Sequence, residues 1–252
     1  MGGVLLVGHG TRDPSGLAEF ADLAGRMQRA LGEAPLESCF LELAEPDIQT
    51  GLARLVERST GAVTIVPVLL FSAGHAKHDI PRELCRLAGS YAGVDLRMSR
   101  ALECDPAILE LSALRYREAL SAVGPDESDD TFLLLVGRGS RDTEATAEML
   151  RFTALRRELT PVARAEACFV AMAEPNLNEG LSNALDSRCR RIVVQPHLLF
   201  DGLLRSEIAQ TVSAARARHP DREWVLAAHL GTHDLVIEAL KHSIAEALPF
   251  PA

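Results

Sequence analysis

His9, Glu42 and His75 are the side chains whose types best suit chemistry at a metal. Two imidazoles and a carboxylate make a mixed nitrogen and oxygen set, which suits a borderline divalent ion. Three protein ligands leave coordination positions open, as a transferable or catalytic metal requires. His9 sits between Gly8 and Gly10, and His75 follows Gly74. The other histidines read differently. His78 lies close to His75 but is predicted to begin a helix. His229 and His233 have i, i+4 spacing, yet Gly231 intervenes, so they read as structural or exposed. His197 follows Pro196 in an apolar run and reads as a strand residue.

An internal repeat sharpens this choice. Residues 3–13 read GVLLVGHGTRD and residues 132–142 read FLLLVGRGSRD, 129 positions later. The same offset relates Cys39-Phe40 to Cys168-Phe169, Ala44-Glu45-Pro46 to Ala173-Glu174-Pro175, and Leu69-Leu70-Phe71 to Leu198-Leu199-Phe200. A period this long exceeds the 20–50 residues of a solenoid and reads as a duplicated subdomain. Residues the fold needs should persist in both copies, whereas residues of a single active site can decay in one. His9 becomes Arg138, Glu42 becomes Ala171, and His75 becomes Leu203 or Leu204. Glu45 persists as Glu174 and Asp13 as Asp142. His9, Glu42 and His75 therefore form one functional set. Glu45 reads as structural, a carboxylate placed in a first helical turn.

The elements that must position these residues alternate strand and helix. The apolar run 4–7 suits a parallel strand buried on both faces. A helix is predicted over 17–31 after Asp13, Pro14 and Ser15, and a strand over 36–41. A helix from Glu45 to about Glu57 carries Pro46 in its first turn. A strand follows over 63–70, a helix over 81–88, a short strand over 94–98 and a closing helix over 106–120. The second copy repeats strands over 132–136, 165–170 and 192–199, and helices over 145–159, 177–185 and 235–248. The stretch 121–131, with Gly124 and Pro125, suits a linker. The chain is thus expected to form an α/β fold of two lobes, 1–122 carrying the active site and 130–252 a degenerate copy, each a parallel sheet flanked by helices. Ligands in such sheets bind beyond the carboxyl ends of the strands, where His9 and His75 fall.

Composition narrows the partners. The chain has 252 residues with 47% hydrophobic, enough for a sizeable core. Aromatics at 4% and a net charge of -9 argue against nucleic acid and anionic membranes. The five cysteines are scattered with no C-x-x-C pair, which reads as reduced thiols in the cytoplasm. No secretory leader or membrane span is expected.

The residues Val7-Gly8-His9-Gly10-Thr11-Arg12, Phe40-Leu41-Glu42-Leu43-Ala44-Glu45-Pro46 and Val66-Pro67-Val68-Leu69-Leu70-Phe71 through Gly74-His75-Ala76-Lys77-His78-Asp79-Ile80-Pro81 resemble the sirohydrochlorin chelatase family. These are class II tetrapyrrole chelatases, and the two-copy form is similar to the long cobaltochelatases. The resemblance implies insertion of a divalent metal, Co²⁺ favoured and Fe²⁺ the alternative, into sirohydrochlorin. In that picture His9 and His75 hold the metal. A histidine or Glu42 accepts a pyrrole proton, and the macrocycle lies in a cleft between the lobes. Arg12, Lys77 and Arg82, or Arg138 and Arg205 from the second lobe, can pair with substrate carboxylates. No cofactor beyond the substrate metal and no ATP are expected, since no G-x-x-x-x-G-K-[ST] loop is present. The oligomeric expectation is a monomer or homodimer.

A histidine phosphatase needs an arginine before its nucleophilic histidine, and here that residue is Gly8. A non-enzymatic metal or tetrapyrrole carrier would use the same ligands and is separated by turnover. A scaffold on a decayed chelatase fold is disfavoured by the intact set in the first copy.

Overall fold

The computed structural model describes residues 2–72, 74–91, 93–123 and 128–250, apart from the side chains of His75, Ala76 and Ala88. The first repeat runs β1 (Gly3–Gly8), α1 (Pro14–Leu31), β2 (Leu36–Phe40), α2 (Ile48–Arg58), β3 (Val63–Pro67), α3 (Ile80–Ala88), β4 (Leu96–Met98) and α4 (Pro106–Ser121). The second runs β5 (Thr131–Gly137), α5 (Thr143–Leu159), β6 (Arg164–Phe169), α6 (Leu177–Asp186), β7 (Arg191–Pro196), α7 (Leu203–Arg218), β8 (Glu223–Leu226), α8 (Asp234–Ala245) and β9 (Leu248–Pro249). Every residue of β1 and of β5 is buried, as the unbroken apolar runs require of central parallel strands.

Two sheets result. One has the order β2-β1-β3-β4-β9, parallel except for β9, which lies antiparallel on β4. The other is wholly parallel in the order β6-β5-β7-β8. The repeat is obeyed to the residue. Leu5 faces Glu37 and Ile65, and its counterpart Leu134 faces Glu166 and Val194. Side chains also set the helix starts. Asp13 accepts the Ser15 N–H at 2.9 Å and Asp142 the Glu144 N–H at 2.9 Å. Gly51 and Gly180 are kept because each helix lies almost on its strand: a Cβ there would stand 2.9 and 2.6 Å from the Cβ of Cys39 and Cys168.

Some boundaries differ from those predicted. The helix assigned to 45–57 begins at Ile48, with Asp47 as its cap accepting the Thr50 N–H at 2.8 Å. Glu45 and Pro46, joined by a cis peptide, precede it. Glu45 is therefore not in a first helical turn, and its carboxylate instead accepts the Asp47 N–H at 3.2 Å. The strand predicted over 63–70 ends at Pro67, and that over 192–199 at Pro196, where the proline has no N–H to give the ladder; only the next residue, Val68 or His197, still donates to the central strand. Helix α7 and strand β8 were not foreseen. Gly124 and Pro125 of the predicted linker lie outside the described residues; Ser128–Asp130 form a short 3₁₀ turn.

The chain packs as two compact units, 1–103 with 234–252, and 104–233. This division differs from the lobes 1–122 and 130–252, because the closing helices follow packing and not repeat order. Helix α4 covers α5, β7 and β8 in the second unit, and α8 lies on α1 and β3 in the first. Helix α8 buries Val236, Ile237 and Leu240 there, with Arg26 on Asp234 at 3.1 Å and Arg100 on Glu246 at 2.9 Å at its exposed edges. Leu5, Val7, Leu52, Ile65 and Leu84 centre one core; Leu134, Val136, Leu181, Val194 and Trp224 centre the other. No helix among the described residues is long and apolar enough to cross a membrane.

Candidate metal centre

The order β2-β1-β3 sets the carboxyl ends of three strands side by side in the first unit. His9 follows β1 directly, and Glu42 lies two residues beyond the end of β2. The backbone zips these exits together. The Leu41 N–H donates to the Gly8 carbonyl at 2.9 Å and the Glu42 N–H to the His9 carbonyl at 3.1 Å. Gly10, at φ 96°, lets the Glu42 carbonyl approach so closely that a Cβ would sit 1.7 Å from the oxygen. The outcome is a side-chain pair: His9 Nε2 stands 3.5 Å from Glu42 Oε1, with the histidine side chain 23% and the glutamate 50% exposed. A carboxylate beside an imidazole can orient the ring, while the exposure leaves both groups open to an incoming ion.

The third strand supplies the remaining candidate. After β3, the Val68 N–H donates to the Val7 carbonyl at 2.9 Å, and the chain is held by the Leu102 N–H on the Leu69 carbonyl at 2.9 Å. Ser72 donates to Glu103 at 2.9 Å. A π-helical turn, His75–Asp79, then leads into α3. Such turns recur at functional sites. The side chain of His75 lies outside the described residues. Among the described residues no three His, Cys, Asp or Glu side chains gather into a metal-holding group; of the candidate set, the described side chains His9 and Glu42 are brought together.

The cationic candidates scatter. Arg12 is exposed just past His9, in the loop leading to α1. Lys77 is half-buried in the π turn. Arg82 is exposed on α3, 3.8 Å from Asp79. In the second unit Arg138 is exposed at the end of β5, whereas Arg205 is engaged with Asp201, at 3.0 Å through its second nitrogen. That guanidinium holds the Asp201 carboxyl below its ordinary range. His78 is exposed within the π turn rather than at the start of an α-helix. His197 is buried just past β7, not within it, 4.2 Å from the Phe152 ring. Burial pushes its pKa down to about 3 and keeps it neutral.

The five thiols are free. Burial pushes Cys39 up, aided by Asp47 and Glu37, and Cys168 up to about 12, so neither supplies a thiolate ligand. Two features of the site went unread in the sequence. Gly10 was detectable, because its partner Gly139 repeats the same approach, 1.7 Å from the Ala171 carbonyl oxygen. The left-handed backbone at Leu43, φ 65°, has no residue-type signal.

Known proteins share this architecture. The CbiX family model matches residues 3–119 and again 132–247. A sirohydrochlorin ferrochelatase of Priestia megaterium is 32% identical over 97% of this chain and 90% of its own length. A sirohydrochlorin cobaltochelatase of the same organism is 28% identical over 98% and 80%. The structure of SirB from Bacillus subtilis with Fe3+ superposes with a TM-score of 0.85 at 30% identity, covering 97% of this chain and 94% of that one. With the family matched in both halves, the chain belongs to the CbiX family, carried twice in one polypeptide.

Proposed function

We propose that this enzyme inserts a divalent first-row metal, Co²⁺ or Fe²⁺, into sirohydrochlorin without ATP. The observation that carries the proposal is the pairing of His9 with Glu42 at the carboxyl end of the first sheet, in the one repeat that retains both residues. Relatives named for iron and for cobalt match at similar identity, 32% and 28%, so neither metal is favoured by likeness. The cobalt preference drawn from the two-copy form has no further support.

In this proposal His9 and His75, as neutral imidazoles, hold the incoming ion and leave its other positions open. The metal passes to the ring nitrogens as two pyrrole N–H bonds break. Both electron pairs go to the metal and both protons leave, so no redox step is needed. Glu42, beside His9, is the carboxylate placed to accept a proton or to hold the imidazole as it does so. Arg12, Lys77 and Arg82 are the cations proposed for the carboxylates of the substrate.

The test is anaerobic absorption spectroscopy of purified protein with sirohydrochlorin, after adding Co²⁺ or Fe²⁺. Multiple turnovers with either metal, lost in His75→Ala, are the expected result. A spectral change that stops at one equivalent per protein, or no gain over the spontaneous rate, would replace the chelatase with a carrier.

A further inference from the structure

Leu43 lies between Glu42 and Ala44 in the tightest turn of the site. The Ala44 N–H donates to the Glu42 carbonyl at 2.9 Å, closing a three-residue turn around Leu43 at φ 65°. A leucine is strained in that region, where its Cβ crowds the backbone. Glycine would adopt it freely. Burial does not offset the strain, because Leu43 is 50% exposed. Within the unit that carries His9, the exposed large apolar side chains among the described residues are Leu43 and Leu248, and Leu248 lies on the edge strand β9. A strained, half-exposed apolar residue thus follows Glu42 directly in the chain.

The second repeat separates this feature from metal chemistry. Met172 takes the same left-handed backbone, φ 60°, and is likewise 50% exposed. Its neighbour is Ala171, where the first repeat has Glu42. A large apolar side chain therefore remains at this turn where the carboxylate does not, so holding a carboxylate does not explain it. A role in folding does not explain it either, because the residue is strained and half-exposed in both copies; a surface that must meet something broad and apolar does.

We infer that Leu43 is a substrate-contact residue, an apolar prop against the face of the tetrapyrrole beside Glu42. The inference rests on the proposed chelatase activity. A conjugated macrocycle has an apolar face and carries its carboxylates on the rim, so a leucine at the face and cations at the rim divide its recognition between them. Leu43 acts on binding and not on the metal.

Two readouts on Leu43→Gly and Leu43→Met test it. The first is the Kd for metal-free sirohydrochlorin, from absorption titration. The second is the KM and kcat of metallation, with Co²⁺ affinity of the substrate-free protein measured alongside. Leu43→Gly relaxes the backbone, so its thermal midpoint should hold or rise. Its Kd and KM should rise about three- to tenfold with kcat and Co²⁺ affinity unchanged, from loss of part of one leucine's burial. Leu43→Met, the second repeat's residue, should stay within about twofold of wild type. A Leu43→Gly protein with wild-type Kd overturns the inference. So does one whose Co²⁺ affinity falls in step with its Kd, since the turn would then merely hold Glu42. Binding by wild type that Leu43→Gly weakens, without turnover, refutes the chelatase proposal and leaves Leu43 as the contact; absence of binding by wild type refutes both.

Discussion

The two repeats share a backbone pattern and differ in where they place polar groups. The first is polar at its mouth, with His9 and Glu42 3.5 Å apart, and apolar in its core, where Met27, Val66 and Val68 are buried. The second has Arg138 and Ala171 at the mouth and buries Arg156, Gln195 and His197 at the positions of those three core residues. The buried set is organised around α4. Arg156 Nε donates to Ser112 Oγ at 3.1 Å, and Gln195 donates to the Ser112 carbonyl at 2.8 Å. Arg156 also bonds Thr160 and lies 5.5 Å from the Tyr116 ring centre. Hydrogen bonds to neutral groups keep the cation tolerable, though burial lowers its pKa to about 10. Sheet, turns and caps are thus set independently of the residues at the mouth and of the polarity of the core.

The shared turn is the first place to break the comparison, with the largest effect. Gly10→Ala and Gly139→Ala each drive a Cβ to 1.7 Å from a carbonyl oxygen at a positive φ. Each should cost about 3–4 kcal/mol in chemical unfolding. Only Gly10→Ala should also remove metallation activity under conditions where the protein remains folded. Similar losses of activity in both would mean that the second mouth takes part in the chemistry.

His197 gives a smaller, pH-dependent effect. Its folded pKa, about 3, lies below the ordinary value of 6.5, so between these pH values the unfolded chain binds a proton that the native chain does not. Stability contributed by the neutral ring is present above pH 6.5 and is lost as pH falls through that window, by up to about 1.4 kcal/mol per unit. His197→Val, which copies Val68, should flatten the stability profile between pH 6.5 and 4. An unchanged slope would place the acid sensitivity elsewhere.

Arg156→Met carries the smallest effect. It restores the first repeat's residue and leaves Ser112 and Gln195 bonded to each other. The exchange should lie within about 1 kcal/mol of neutral, because a desolvated charge is removed while Ser112 keeps its bond to Gln195 and the buried Thr160 hydroxyl loses its bond to the arginine. A loss above about 2 kcal/mol would show that the arginine holds α4 in place.

Much of this was legible before the structure. The apolar runs 4–7 and 132–136 announced central parallel strands, since only strands covered on both faces read as unbroken hydrophobic stretches. The decay of His9 to Arg138 and of Glu42 to Ala171 picked out the residues that the structure brings to 3.5 Å. Helix α7 was missed because its apolar signal is thin: Ile208, Val212 and Ala215 are buried while Leu203 is 80% exposed. Strand β8 has four residues, with Trp224 and Val225 buried, too few to show a period. The exchange of closing helices was invisible, because a repeat records chain order whereas Arg26 with Asp234 and Arg156 with Ser112 record packing. The strained turn at Leu43 depends on a dihedral that the residue type does not announce.

The most direct test copies the second repeat into the first at one position. His9→Arg installs the residue found at Arg138 and leaves the shared backbone intact. Initial rates of sirohydrochlorin metallation with Co²⁺ and Fe²⁺ should fall to the spontaneous background while the unfolding midpoint stays at the wild-type value. A His9→Arg enzyme that turns over at the wild-type rate would contradict the placement of the metal centre in the first repeat.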